Sequence, residues 1–126
     1  MFFGKKHKVL VVDDDENMLL LLERTLSKAS YKVFKAKNGR ESIDLAKKVC
    51  PDIIIMDIMM PELDGIGAVL KLKSTEETRS IPIIMCTAVK DDEDEILARN
   101  LDVADYFRKA SNLKDLLEKI QRVLSK

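Results

Sequence analysis

Three short, unbroken apolar runs, Val9–Val12, Ile53–Met56 and Ile83–Cys86, constrain the fold more than any other feature of the chain. A strand with one face in water alternates apolar and polar residues. A run without alternation suits a strand buried on both faces, as in a parallel sheet covered by helices. Val33 and Phe34 lie in a more polar segment that reads as an edge strand, and Tyr106 with Phe107 marks a fifth strand, also less apolar.

Helical patterns separate these runs. Leu113, Leu116, Leu117, Ile120, Val123 and Leu124 share one face, with Asn112 placed to cap the helix and Asp115 three residues on. Met18, Leu19, Leu22 and Leu26 define a first helix. Asn38 and Glu41 form a capping pair ahead of Ile43, Leu45 and Ala46. Ile66, Val69 and Leu70 begin a third helix. A fourth opens at Asp91–Glu95, whose charges favour a helix N-terminus, but its apolar face is thin: Ile96, Leu97 and Leu101. Five alternations of strand and helix predict a doubly wound α/β domain with a five-stranded parallel sheet flanked by five helices.

A length of 126 residues suits a single domain over 1–126, with its core from about residue 7 onward. Lys plus Arg number 22 and so do Asp plus Glu, a balance that gives no support for bulk nucleic-acid binding. The first eight residues lack a signal-peptide pattern, and no apolar run approaches the roughly 20 residues of a membrane span. A cytoplasmic location without membrane insertion is the expectation. Cys86 lies in an apolar run and reads as a small core residue; it and Cys50 are not expected to pair.

The reactive side chains cluster by position. The first strand ends at Asp13 and Asp14, the third at Asp57 and the fourth at Thr87, while Lys109 follows the fifth. Open α/β sheets bind ligands beyond the carboxyl ends of their strands. Two carboxylates 4 Å apart repel by about 4 kcal/mol at an effective dielectric near 20, so three require a cation. A hard, oxygen-rich set with few ligands suits Mg²⁺. Asp57 could then attack phosphorus, with Lys109 supplying charge and Thr87 a hydroxyl donor to the phosphoryl oxygens. Taken singly, an acidic triplet is a loop or helix start, a strand-end Asp a turn residue and Lys109 a solvated lysine. Their joint placement after consecutive apolar strands favours a site.

Val11-Val12-Asp13-Asp14, Met56-Asp57, Met60-Pro61-Glu62-Leu63-Asp64-Gly65, Thr87-Ala88 and Lys109 together resemble the response-regulator receiver family of two-component signalling, over nearly the whole chain. The resemblance implies a flavodoxin-like fold with strand order 2-1-3-4-5. It implies phosphorylation of Asp57 by a histidine kinase or histidine phosphotransfer protein. Asp14 and Asp57 would bind Mg²⁺ directly, Asp13 through water, and Met59 through its backbone carbonyl. It also implies a switch in which Thr87 moves toward the phosphoryl group and Tyr106 turns inward. The face of the fourth helix, fifth strand and fifth helix then changes for a downstream protein target. By the resemblance, such a chain would be a stand-alone, chemotaxis-regulator-like switch rather than a turnover enzyme, promoting its own phosphorylation and dephosphorylation. It would be a monomer or weak dimer without direct nucleic-acid contact. Three positions depart from the family pattern: Ala110 stands where Pro is usual, Ser111 where an aromatic is common and Asp102 where Gly is common. The apolar Met59 and Val89, expected to flank the site, imply slow self-dephosphorylation.

Three other readings compete. Asp13 and Asp15 form the Asp-x-Asp of haloacid-dehalogenase-type phosphatases, but Asn17 replaces the Thr or Val expected there. A flavin or nucleotide module needs a phosphate-cradling glycine loop, and none of Gly4, Gly39, Gly65 and Gly67 follows the first strand. A receiver-shaped interaction module working without phosphorylation is opposed by the full set of acidic residues with Thr87 and Lys109. The only histidine, His7, lies in a charged N-terminal tail, unsuited to a phosphodonor.

Overall fold

Each apolar run becomes a strand, and each strand extends slightly beyond its run. A computed structural model describes residues 6–58, 60, 64–87, 101–109 and 111–126. Its elements are β1 (Lys8–Val12), α1 (Glu16–Lys28), β2 (Lys32–Ala36), α2 (Gly39–Val49), β3 (Ile53–Asp57), α3 (Gly65–Lys73), β4 (Ile83–Thr87), β5 (Asp105–Arg108) and α4 (Leu113–Leu124). All five strands are parallel in one sheet of order β2-β1-β3-β4-β5. This is the order implied by the family resemblance, with β2 and β5 at the edges as the polar character of their segments suggests. Four helices stand among the described residues. The segment expected to form another, from Asp91 onward, lies outside them except for Leu101, which packs on the core.

Strand alternation sends side chains to two separate apolar layers. Leu10, Val12, Ile54, Met56, Ile83 and Met85 face one side, where residues of α2 and α3 cover them. Val9, Val11, Ile53, Ile55, Ile84, Cys86 and Phe107 face the other, under α1 and α4. The three central strands are buried along their whole lengths apart from Lys8.

Local chemistry fixes the helix starts. Asn38 accepts a 2.8 Å hydrogen bond from the Glu41 amide, while the Glu41 carboxylate accepts from the Lys37 amide, as the capping pair predicts. Asn112 caps α4 by accepting from the Lys114 amide at 2.8 Å. α3 differs in detail from its sequence pattern. Its buried residues are Gly65, Ala68, Val69 and Leu72, whereas Leu70 is 57% exposed. The small residues Gly65 and Ala68 face the sheet, and this orientation turns Leu70 outward.

Candidate functional site

The site forms at the carboxyl ends of the strands because parallel register carries their last residues to one level. Val12 pairs with Met56, so Asp13 and Asp57 follow side by side. Asp57 pairs with Cys86 and Thr87 with Arg108, which places Thr87 and Lys109 beyond the same edge. The Lys109 amide donates to the Thr87 carbonyl at 2.8 Å, continuing the ladder past β5.

Carboxylate oxygens of Asp13, Asp14 and Asp57 all lie within 4.8 Å of one another. Asp13 is 2% and Asp57 3% exposed, while Asp14 is open to solvent. At an effective dielectric near 20, each pair at this spacing repels by about 3–4 kcal/mol. The Lys109 ammonium faces this cluster, 2.6 Å from Asp13 Oδ2 and 3.4 Å from Asp57 Oδ2. Burial pulls the proton affinity of Lys109 down, but hydrogen bonding to Asp13 and the charges of Asp57 and Asp13 outweigh it. Its pKa therefore lies above the ordinary lysine value. Three carboxylates against this ammonium leave a pocket of hard oxygen donors, negative among the described residues, with one solvent-facing member. That donor set fits a divalent oxygen-seeking cation such as Mg²⁺.

Asp13 is held by its own turn, since its Oδ1 accepts from the Asp15 amide at 2.9 Å while Oδ2 faces Lys109. Asp15 has a structural task, accepting from the Asn17 amide at 2.9 Å as the N-cap of α1. It thus serves as a helix cap rather than as the second carboxylate of a phosphatase motif. Thr87 is buried at the end of β4, and Tyr106 is half-buried on β5 against the layer beneath α2 and α3. Met59, Val89 and Ala110 lie outside the described residues, and with them the expected carbonyl ligand, the flanking apolar pair and the Lys109–Ala110 bond.

Two contributors were not assigned these tasks from sequence. Asp64 caps α3, its Oδ1 accepting from the Gly67 amide at 2.7 Å. Gly65 lets that helix sit directly on the strand bearing Asp57: its amide donates to the Ile58 carbonyl at 2.9 Å. A Cβ there would collide with the Asp57 carbonyl oxygen and lie 2.7 Å from the Ile58 Cα. Both residues stand in the Met60–Gly65 motif, but only the packing of α3 on β3 reveals what they do.

Comparison with known proteins agrees with this geometry. The family model described as the response regulator receiver domain matches residues 9–121. The Pseudomonas aeruginosa protein PilH is 34% identical over 118 residues, covering 94% of this chain and 98% of PilH. The alkaline phosphatase synthesis transcriptional regulatory protein PhoP of Bacillus subtilis is 33% identical over 117 residues, 93% of this chain and 48% of PhoP. The chain spans about half the length of most of the curated relatives it matches. Among solved structures, the receiver domain of the sensor histidine kinase PA1611 from Pseudomonas aeruginosa superimposes with a TM-score of 0.89 at 26% identity. The match covers 96% of this chain and 99% of that one, whose active-site cleft coordinates a magnesium ion. With the family model spanning nearly all of the sequence and the acidic cluster standing at the carboxyl edge of the sheet, the chain belongs to the response regulator receiver domain family.

Proposed function

We propose that this receiver domain of two-component signalling is a phosphoacceptor switch in which Asp57 takes a phosphoryl group from a phosphohistidine. The observation that carries the reading is the burial of Asp57 at the end of β3, within 4.8 Å of two further carboxylates and 3.4 Å from the Lys109 ammonium. A buried, crowded carboxylate is costly to maintain, and such groups concentrate where chemistry uses them.

Asp14 and Asp57 would hold Mg²⁺ directly, Asp13 through water, and the Met59 carbonyl would complete the protein's share. Bound there, the ion supplies positive charge that offsets the carboxylates and the incoming phosphoryl oxygens. Asp57 contributes the nucleophile: a carboxylate oxygen forms a bond to phosphorus as the phosphorus–nitrogen bond of the phosphohistidine breaks, its electron pair leaving on the imidazole. Lys109, already shared between Asp13 and Asp57, donates to a phosphoryl oxygen once Asp57 is modified. Thr87, one residue past the partner of Asp57 in β4, offers its hydroxyl to another. Movement of Thr87 toward that oxygen frees space into which Tyr106 turns, and the face formed by the helix expected from Asp91, β5 and α4 changes for a protein target. The donor is a histidine kinase or histidine phosphotransfer protein, and the domain itself turns over no free substrate.

Incubation with acetyl phosphate and Mg²⁺ followed by intact mass measurement tests this. One phosphoryl mass should appear, should require the metal, and should vanish in Asp57→Ala. A phosphoryl gain that survives Asp57→Ala, or none in the wild type, overturns the assignment.

A further inference from the structure

Outside the acidic site, a groove of about 960 Å³ opens between α2 and α3. Its apolar lining is buried Ile43 at the floor and, beside it, Leu70, the most exposed large apolar residue among those described. Its rims are basic: Arg40 and Lys47 on α2 and Lys71 on α3, against a single carboxylate, Asp44. Lys35, Lys109 and Lys119 each stand in an ion pair, whereas Arg40, Lys47 and Lys71 pair with no described carboxylate. In a chain of zero formal net charge, this groove is a local excess of uncompensated positive charge around an apolar centre.

We infer that the α2–α3 groove docks an acidic amphipathic helix of a partner protein, with an apolar side chain seated against Leu70 and Ile43 and carboxylates facing Arg40, Lys47 and Lys71. Three observations select this occupant. Arg40 and Lys47 are seven residues apart on one helix, a rise of about 10 Å, too far for one phosphate group but matched by carboxylates two turns apart on a partner helix. The groove runs between two helices, the geometry that receives a helix presenting anchors on one face. A lipid surface would meet one exposed leucine beside a recessed floor, and a nucleic-acid backbone would meet apolar floor and Asp44 where it needs unbroken positive charge. None of Asp13, Asp57 and Lys109 lines the groove.

The test is titration of isotope-labelled full chain with a synthetic helical peptide carrying two glutamates seven residues apart around a leucine. A second peptide with lysines in place of the glutamates is the control. Amide shifts should concentrate on α2 and α3 for the glutamate peptide alone. Leu70→Ser should weaken it at least about tenfold, as loss of a central anchor does. Lys47→Glu with Lys71→Glu should abolish its binding and admit the lysine peptide, with the thermal midpoint of each variant unchanged. Equal binding of both peptides, shifts elsewhere, or indifference to these variants would overturn the inference. So would a dimer in sedimentation that Leu70→Ser dissolves, or association with phosphatidylglycerol vesicles in place of the peptide.

Discussion

Gly65 lies among the site's closest packing contacts, because it brings α3 against the backbone of Asp57 and Ile58. The atoms a methyl group would meet are main-chain atoms, which cannot rotate away as a side chain would. Gly65→Ala must therefore push α3 off β3 and tilt the Asp57 carboxylate relative to Lys109. The expected cost is about 1–3 kcal/mol, the range for overpacking a tight site. It should appear as a lower urea midpoint together with reduced phosphoryl uptake from acetyl phosphate; an unchanged midpoint would show that the β3–α3 junction opens freely. The placement of Asp13, Asp57, Thr87 and Lys109 at the carboxyl ends of the strands was legible in the sequence because each ends or follows a recognisable strand. The work of Gly65, Asp64 and Asp15 was not, since their partners are backbone groups brought close by helix placement. The 2.6 Å pairing of Lys109 with Asp13 was also beyond the sequence, which gave Lys109 to the phosphoryl group.

At the scale of elements, the capping residues carried the most information. Asn38, read as a cap from its spacing to Glu41, satisfies an amide that would otherwise be orphaned at the start of α2. Asn38→Ala should cost about 1 kcal/mol, measurable by urea unfolding, with phosphorylation of Asp57 unaffected. If Asn38→Ala instead abolished phosphoryl uptake, α2 would be tied to the site in a way its contacts do not indicate. The helix whose orientation was least legible is α3. Ile66, Val69 and Leu70 obey helical spacing, yet the buried set is Gly65, Ala68, Val69 and Leu72. Periodicity marks apolar residues as inward-facing, but two of the four buried positions hold residues chosen for smallness. Hydrophobicity alone could not find them, nor could it show that Leu70 faces outward.

Across the whole molecule, one sheet separates two apolar layers and carries buried Asp13, Asp57 and Thr87 at the carboxyl ends of its strands, so groups belonging to the core lie next to groups belonging to the site. Cys86 is the clearest case. It packs in the layer beneath α1 and α4, yet it pairs with Asp57 across the sheet. Burial is the main force pushing its thiol up to about 12; Asp57 and Asp13 add to the rise, and the Lys109 ammonium opposes it. The unfolded chain would lose this proton near the ordinary value of 9.0, so between there and about 12 the folded protein binds more protons than the unfolded one. Stability from this group is fully present below pH 9 and drains away as pH rises toward the folded value. Lys109, raised above 10.5, adds a second loss of the same sign at higher pH. Each group's slope can approach about a tenfold change in the folding equilibrium per pH unit. Urea midpoints measured from pH 7 to pH 11 should fall above pH 9, and the fall should be shallower in Cys86→Ala, which lacks the thiol but keeps Lys109. The variant will start from a lower midpoint because it opens space in the core, so the slope is the quantity that decides. Parallel slopes in the two proteins would mean that the Cys86 thiol ionises in the folded state as readily as in the unfolded chain, and that the centre of the sheet is far more open to water than its burial implies.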